Sequence, residues 1–261
     1  MGMVHWPRGK SFAGMATLLL LVTFVALLLL PKTEWRKRFF VEREVEKSLY
    51  PFRFTILEKA LCRRVGRPLL AIIVVHSAPV NSIRRMMIRH TWGSASTHLP
   101  VRTVFALGYH NTATQEAIER ESEIYQDIVQ QDFIDSRRNL TFKSIMWLEW
   151  VFHHCSEAAF VVKTDDDMVI NTFALANFLQ RQLGGRLVRV DRGEFNRSVF
   201  PTYCSGRAYV IPGGIIPRMH RRVYSTPFVW LEDVFVTGMI PERLNTEQEA
   251  DETASSTNKL F

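Results

Sequence analysis

The sequence predicts an α/β fold, a mostly parallel sheet flanked by helices and preceded by an N-terminal transmembrane helix. Three observations predict it. Short apolar runs, LLAIIVVHS (69–77), VRTVFALG (101–108) and AAFVVKTDDD (158–167), alternate with helical segments, as strands buried on both faces do. The 261 residues suffice for one sizeable domain plus attachments, and 47% hydrophobic with 23% charged residues is the composition of a folded protein. Finally, FAGMATLLLLVTFVALLLL (12–30) carries no charge and as a helix would span about 28 Å, close to a bilayer's hydrocarbon core.

The elements follow in order. Residues 1–10 read as a cytosolic tail, 11–31 as an anchor, 32–60 as a stem, 61–245 as the folded domain and 246–261 as a polar tail. The apolar run is longer than a signal peptide's, and LLLLPKTEWRK offers no small-x-small cleavage site. Lys32, Arg36, Lys37 and Arg38 after the span favour a cytosolic C-terminal part, whereas the sequons at Asn139 and Asn196 favour a lumenal one. After the first strand, NSIRRMMIRHTWG (81–93) predicts a helix begun by Asn81 or Ser82, with Ile83, Met87 and His90 at helical spacing and Gly93 as its stop. The segment 114–133 begins as a charged helix and becomes a strand or loop near Ile128. NLTFKSIMWLEWVFHHC (139–155) is a helix, with Thr141 as cap and Leu140, Ile145, Leu148 and Phe152 on one face.

The net charge of +7 suits an acidic partner such as a phosphorylated small molecule, but no nucleic-acid-binding motif stands out, and nucleic acid is not an expected partner. The chemistry is concentrated in Asp165, Asp166 and Asp167, at the end of an apolar run where ligands of parallel sheets sit. In an extended strand Asp165 and Asp167 share a face while Asp166 points away. Hard oxygen ligands suit Mg²⁺ or Mn²⁺ completed by phosphates and water. An acidic loop is the plainer alternative; an aspartyl-phosphate motif (DDDMV) fits the pattern but normally lies near the start of its domain. Lys163 shares the Asp165 face and balances the cluster. Arg85 and Arg89 share a helical face, which serves equally for a diphosphate contact or an internal ion pair. Trp92 either stacks or fills the core, and His153 and His154 read as structural.

RRMMIRHTWG, FALG, DFIDSRRNLTFKSIMWLEWVFHHC, FVVKTDDDMVIN, PTYCSGRAYVIP and LEDVFVTG follow one another in order. Together, over roughly residues 50–245, they resemble the β1,3-galactosyltransferase and β1,3-N-acetylglucosaminyltransferase family, glycosyltransferase family 31. The resemblance implies a GT-A-like fold, a single-pass type II protein of the Golgi membrane with a lumenal domain, and inverting, Mn²⁺-dependent transfer from a UDP-sugar. The acceptor would be a glycan on lipid or protein. It further implies Asp167 on the metal, Asp165 on metal or ribose, Asp166 and Ser77 at the nucleotide, Asp233 as base with Glu232 assisting, and Tyr203, Gly206 and Tyr209 on the acceptor side. From the residues alone, Glu232 and Asp233 serve equally as acids at a helix N-terminus. The chain departs from the family pattern in lacking a histidine after His220, a Lys-Trp pair before the YP-like segment and a cysteine after LEDVFVTG. Its alternative reading is a catalytically silent, membrane-anchored binder of sugar nucleotides or glycans. Cys62 and Cys155 each precede a predicted parallel strand and could pair, leaving Cys204.

Overall fold

A computed structural model describes residues 52–63, 68–183 and 203–244, all within one compact unit, Arg43–Phe261. The predicted anchor, most of the stem, the polar tail and Asn196 lie outside the described residues. Among the described residues no helix is long and apolar enough to cross a membrane.

Six strands form one sheet: β1 (Phe54–Leu57), β2 (Ala71–His76), β3 (Val101–Tyr109), β4 (Ile128–Ile134), β5 (Phe160–Asp165) and β6 (Ala208–Pro212), in the order β1-β4-β3-β2-β5-β6. The four inner strands are parallel, and the edges β1 and β6 pair antiparallel. All six residues of β2 are buried because helices cover both faces, which explains its unbroken Ala-Ile-Ile-Val-Val run. Ile72, Ile73, Val74 and Val75 are fully buried, worth roughly 1.5–3 kcal/mol each in apolar burial.

The helices are α1 (Ser82–His90), α2 (Thr112–Tyr125), α3 (Leu140–His154), α4 (Thr172–Leu183), α5 (Ile216–Val223) and the short α6 (Glu232–Val234), which widens into a π-helical turn at Phe235–Met239. The predicted alternation of strand and helix is thus the observed one, with 114–133 divided between α2 and β4. α3 is the apolar member, burying Ile145, Met146, Trp147, Leu148, Trp150 and Val151.

Two local expectations are corrected. Thr141 does not cap α3; it is fully buried, and its Oγ1 donates to the carbonyl of Val229 at 2.7 Å. Ile83 and Met87 do not face the core but are 68% and 60% exposed, and α1 instead turns Arg85 and Ile88 inward. Arg85 is turned inward to its ion pair with Glu121 of α2, which sets the helix's rotation against the apolar stripe. Trp92 packs against the core. Cys62 and Cys155 form a disulfide with a Cα separation of 5.4 Å, and Cys204 is an exposed thiol.

Candidate active site

β5 ends at Asp165, and a turn follows in which the Met168 N–H donates to the Asp165 carbonyl at 3.3 Å. The triplet therefore straddles a strand end and is not part of an extended run, so the strand alternation assumed for it stops after its first residue. Asp166 is folded against the end of β2, where its carboxylate accepts from Ser77 Oγ at 2.8 Å, Asn81 Nδ2 at 2.9 Å and Arg84 at 2.9 Å. These bonds make Asp166 and Ser77 a clasp between β2 and β5. Ser77 is buried and also accepts from Arg85 Nη1 at 3.1 Å, so its hydroxyl is taken up inside the protein, not presented to a nucleotide.

Asp165 and Asp167 stand at the rim. Asp167 is exposed and makes no ion pair or hydrogen bond among the described residues. Asp165, 37% exposed, receives Lys163 Nζ on Oδ1 at 2.8 Å and leaves Oδ2 available. Carboxylate oxygens at a strand end fit a hard divalent cation that takes its remaining ligands from water and substrate. Among the described residues no three His, Cys, Asp or Glu side chains could enclose a metal without such help.

Period-two alternation puts Lys163 on the Asp165 face of β5, and the antiparallel register sets Tyr209 of β6 directly opposite Lys163. α3 and α6 cover this face. Lys163, 2% exposed, reaches Asp165, the Gly206 carbonyl and Glu232 Oε1, the last at 2.7 Å but off the hydrogen-bonding direction. Glu232 is buried, and its Oε2 accepts from Ser144 Oγ at 3.2 Å and the Tyr209 hydroxyl at 3.1 Å. Burial raises the Glu232 pKa; Lys163 and these two hydroxyls act against the shift. Tyr209, buried beside that carboxylate, has its own pKa pushed well above the usual value, first by desolvation and then by Glu232. It orients Glu232 from inside the protein and does not line an open acceptor surface.

Asp233 follows on α6. Its Oδ1 accepts the Val234 N–H at 2.9 Å, and its Oδ2 accepts the Gly206 N–H at 3.1 Å. Gly206 thus faces two ways, its carbonyl receiving Lys163 and its N–H serving Asp233. A Cβ at residue 206 would lie 3.2 Å from Asp233 Oδ2, a contact tight enough to push that carboxylate by a few tenths of an ångström. Nearby, the Cys204 N–H donates to Thr237 Oγ1 at 2.8 Å, docking the loop that carries Gly206 onto the π-helical turn after α6. Tyr203 lies on that loop, 45% exposed and open to solvent.

Other predicted residues are placed elsewhere. Arg85, fully buried, binds Glu121 through Nε and Nη2 and the carbonyls of Ala78 and Pro79. Arg89 binds Glu121 and both oxygens of Asp127, and lies 4.0 Å from the Tyr125 ring centroid. Both guanidinium groups are spent on pinning α1 to α2, so the internal ion pair prevails over the diphosphate contact. Asn139 Nδ2 donates to the Ile134 carbonyl at 2.8 Å, and its sequon partner Thr141 is buried, so glycosylation there would have to precede docking of that turn.

Sequence reasoning missed a second buried lysine. Lys143 Nζ donates to the Ser77 carbonyl at 2.7 Å and pairs with Asp135, which in turn accepts the Gly108 N–H at 2.8 Å. This binds the ends of β2, β3 and α3 beneath the clasp. A lysine amid the apolar positions of a buried helix was the available signal.

The carboxyl ends of the parallel strands, where ligands of open α/β sheets bind, thus carry an acidic strand end and a second carboxylate pair across a buried lysine. A galactosyltransferase family model matches residues 83–190 and 185–252. The chain is 34% identical over 212 residues to beta-1,3-galactosyltransferase 5 of Pan paniscus, covering 72% of this chain and 69% of that protein. It is 34% identical over 210 residues to beta-1,3-galactosyltransferase 5 of Mus musculus, covering 70% and 68%. With UDP-GalNAc:beta-1,3-N-acetylgalactosaminyltransferase 1 of Mus musculus it shares 33% identity over 210 residues, covering 71% of this chain and 63% of that protein. The chain belongs to the galactosyltransferase family and is a glycosyltransferase.

Proposed function

We propose that this chain is an inverting hexosyltransferase that moves galactose or an N-acetylhexosamine from a UDP-sugar to a glycan acceptor in β1,3 linkage. The names of its relatives, which include a UDP-GalNAc-dependent enzyme, support the donor class and the linkage. The observation that carries the mechanism is the seating of Asp233, a carboxylate steered by the Gly206 and Val234 N–H groups and joined through Gly206 and Lys163 to the rim aspartate Asp165.

Asp233 takes the proton from an acceptor hydroxyl as that oxygen forms its bond to the donor's C1. The bond from C1 to the diphosphate oxygen breaks on the opposite face, and UDP leaves with the electron pair. Asp167 and Asp165 would hold Mn²⁺, which supplies Lewis-acid neutralisation of the diphosphate. Glu232 stays buried and fixes Tyr209 and Lys163 around the base.

The location is part of the same reading: a single-pass type II protein of the Golgi membrane with the domain in the lumen. The charge-free stretch at 12–30 and the Cys62–Cys155 disulfide, a feature of oxidising compartments, support it.

The test is UDP release by the full chain with Mn²⁺ and each of UDP-galactose, UDP-N-acetylglucosamine and UDP-N-acetylgalactosamine. Acceptors end in Gal, GlcNAc or GalNAc, and the product linkage is read by NMR. Acceptor-dependent release with a β1,3 product supports the proposal. UDP binding in Mn²⁺ without transfer to any acceptor overturns it in favour of a silent binding protein.

A further inference from the structure

Lys163 is an unusual residue to find inside an apolar strand. Moving an ammonium group out of water is costly unless it is paired, and here two hydrogen-bond acceptors and a further carboxylate, from three separate elements, converge on it. Asp165 belongs to the strand end, Glu232 to α6, and the Gly206 carbonyl to the loop before β6. One cation thus contacts the carboxylate of the donor side, the carboxylate beside the base, and the glycine whose N–H steers the base.

We infer that Lys163 is a positioning residue that aligns Asp233 through Gly206 and does so at the expense of cation affinity at Asp165. The inference rests on the transferase reading above. Its logic is one of charge and direction. The Gly206 carbonyl and the Gly206 N–H lie in successive peptide units on either side of its Cα, so anchoring the carbonyl holds that Cα in place and limits where the N–H aims at Asp233. The same ammonium lies 2.8 Å from Asp165 Oδ1, where it competes with any cation for that oxygen and repels it. A lysine that merely supported the fold would, when removed, loosen the site and weaken the binding of every ligand. A positioning lysine held against a cation site gives effects of opposite sign on binding and on turnover.

The experiment uses the full chain as wild type, Lys163→Met, Glu232→Gln and the double variant. Mn²⁺ affinity is read by titration calorimetry with Mn²⁺ alone, and kcat and acceptor KM by UDP release. For Lys163→Met the expected result is a kcat about 100-fold lower, acceptor KM nearly unchanged, and Mn²⁺ bound about threefold more tightly. The double variant removes the buried acid that Lys163→Met leaves without its counter-ion, and so covers the case in which the single variant does not fold. Relative to Glu232→Gln, the double variant still loses about 100-fold in kcat, because the Gly206 carbonyl remains without its donor. Weaker Mn²⁺ binding in Lys163→Met, or a double variant as active as Glu232→Gln, overturns the inference and leaves the transferase reading standing. A wild type that transfers no sugar overturns that reading, and this inference with it.

Discussion

The Gly206 N–H and the Asp233 carboxylate meet at 3.1 Å, and a Cβ at residue 206 would press on that carboxylate by a few tenths of an ångström. Gly206→Ala places a methyl carbon 3.2 Å from Asp233 Oδ2, inside ordinary van der Waals distance, so either the loop or the base must move. A shift well under an ångström at a reacting group still costs rate, and kcat should fall about 10- to 100-fold. UDP affinity in Mn²⁺, measured by calorimetry, should stay within about twofold of wild type because the change lies away from the rim aspartates. Wild-type kcat in this variant would show that the seating of Asp233 is not critical.

Asp233→Asn keeps the shape of the side chain and removes the basic oxygen. Turnover should drop about 10²- to 10⁴-fold with UDP binding retained, as expected for loss of a general base.

Asp167→Asn acts on the other side of the site. Its carboxylate is exposed and makes no ion pair among the described residues, so the fold should lose nothing and thermal unfolding should match wild type. Mn²⁺-dependent UDP binding should vanish. Retained binding would move the cation contact away from this residue.

Arg85→Met should behave as a stability variant. The side chain is fully buried against Glu121, and deleting one partner of a buried pair typically costs about 3–5 kcal/mol. Unfolding by denaturant should show that loss, whereas UDP affinity measured well below the transition should be unchanged. A selective loss of UDP affinity with normal stability would restore the diphosphate role considered from sequence.

His76 makes stability depend on pH. It is buried under the sheet's end and accepts the Trp147 indole N–H at 3.0 Å, with the charges of Lys163 and Lys143 nearby. Desolvation first, and then those two lysines, hold its pKa well below the usual 6.5. Below pH 6.5 the unfolded chain therefore binds a proton that the native state refuses. The contribution is complete above about pH 6.5 and is lost as pH falls, at about 1.4 kcal/mol per pH unit. In His76→Gln, which can still accept from Trp147, the slope of stability against pH below 6.5 should be shallower; an unchanged slope would assign the titration elsewhere.

Much of the fold was legible because buried parallel strands leave a plain mark. β2 reads as apolar throughout since both its faces are covered, and α3 reads as a helix through its three- and four-residue apolar steps. Rotation about a helix axis was less legible: Ile83 and Met87 have the spacing of a core stripe, yet Arg85 faces inward because its partner Glu121 comes from a different helix, 36 residues on. For the same reason the triplet was located and its geometry misjudged. Where β5 stops depends on neighbours, and with the strand ending at Asp165 the middle aspartate was free to turn back to Ser77 and Asn81. The resemblance implies an acceptor-side place for Tyr209, but the register of β6 sets it opposite Lys163, inside the protein.

The Cys62–Cys155 bridge joins two points 93 residues apart, and Cys155 lies just ahead of the start of β5 while Asp165 closes that strand. Any pull arriving along the backbone upstream of Cys62 meets β1, held on β4, and then the bridge, which ends at the far pole of β5, about 17 Å of strand away from the rim carboxylates. The fold behaves like a tool gripped at its handle: a load taken up at that end leaves the working edge undisturbed.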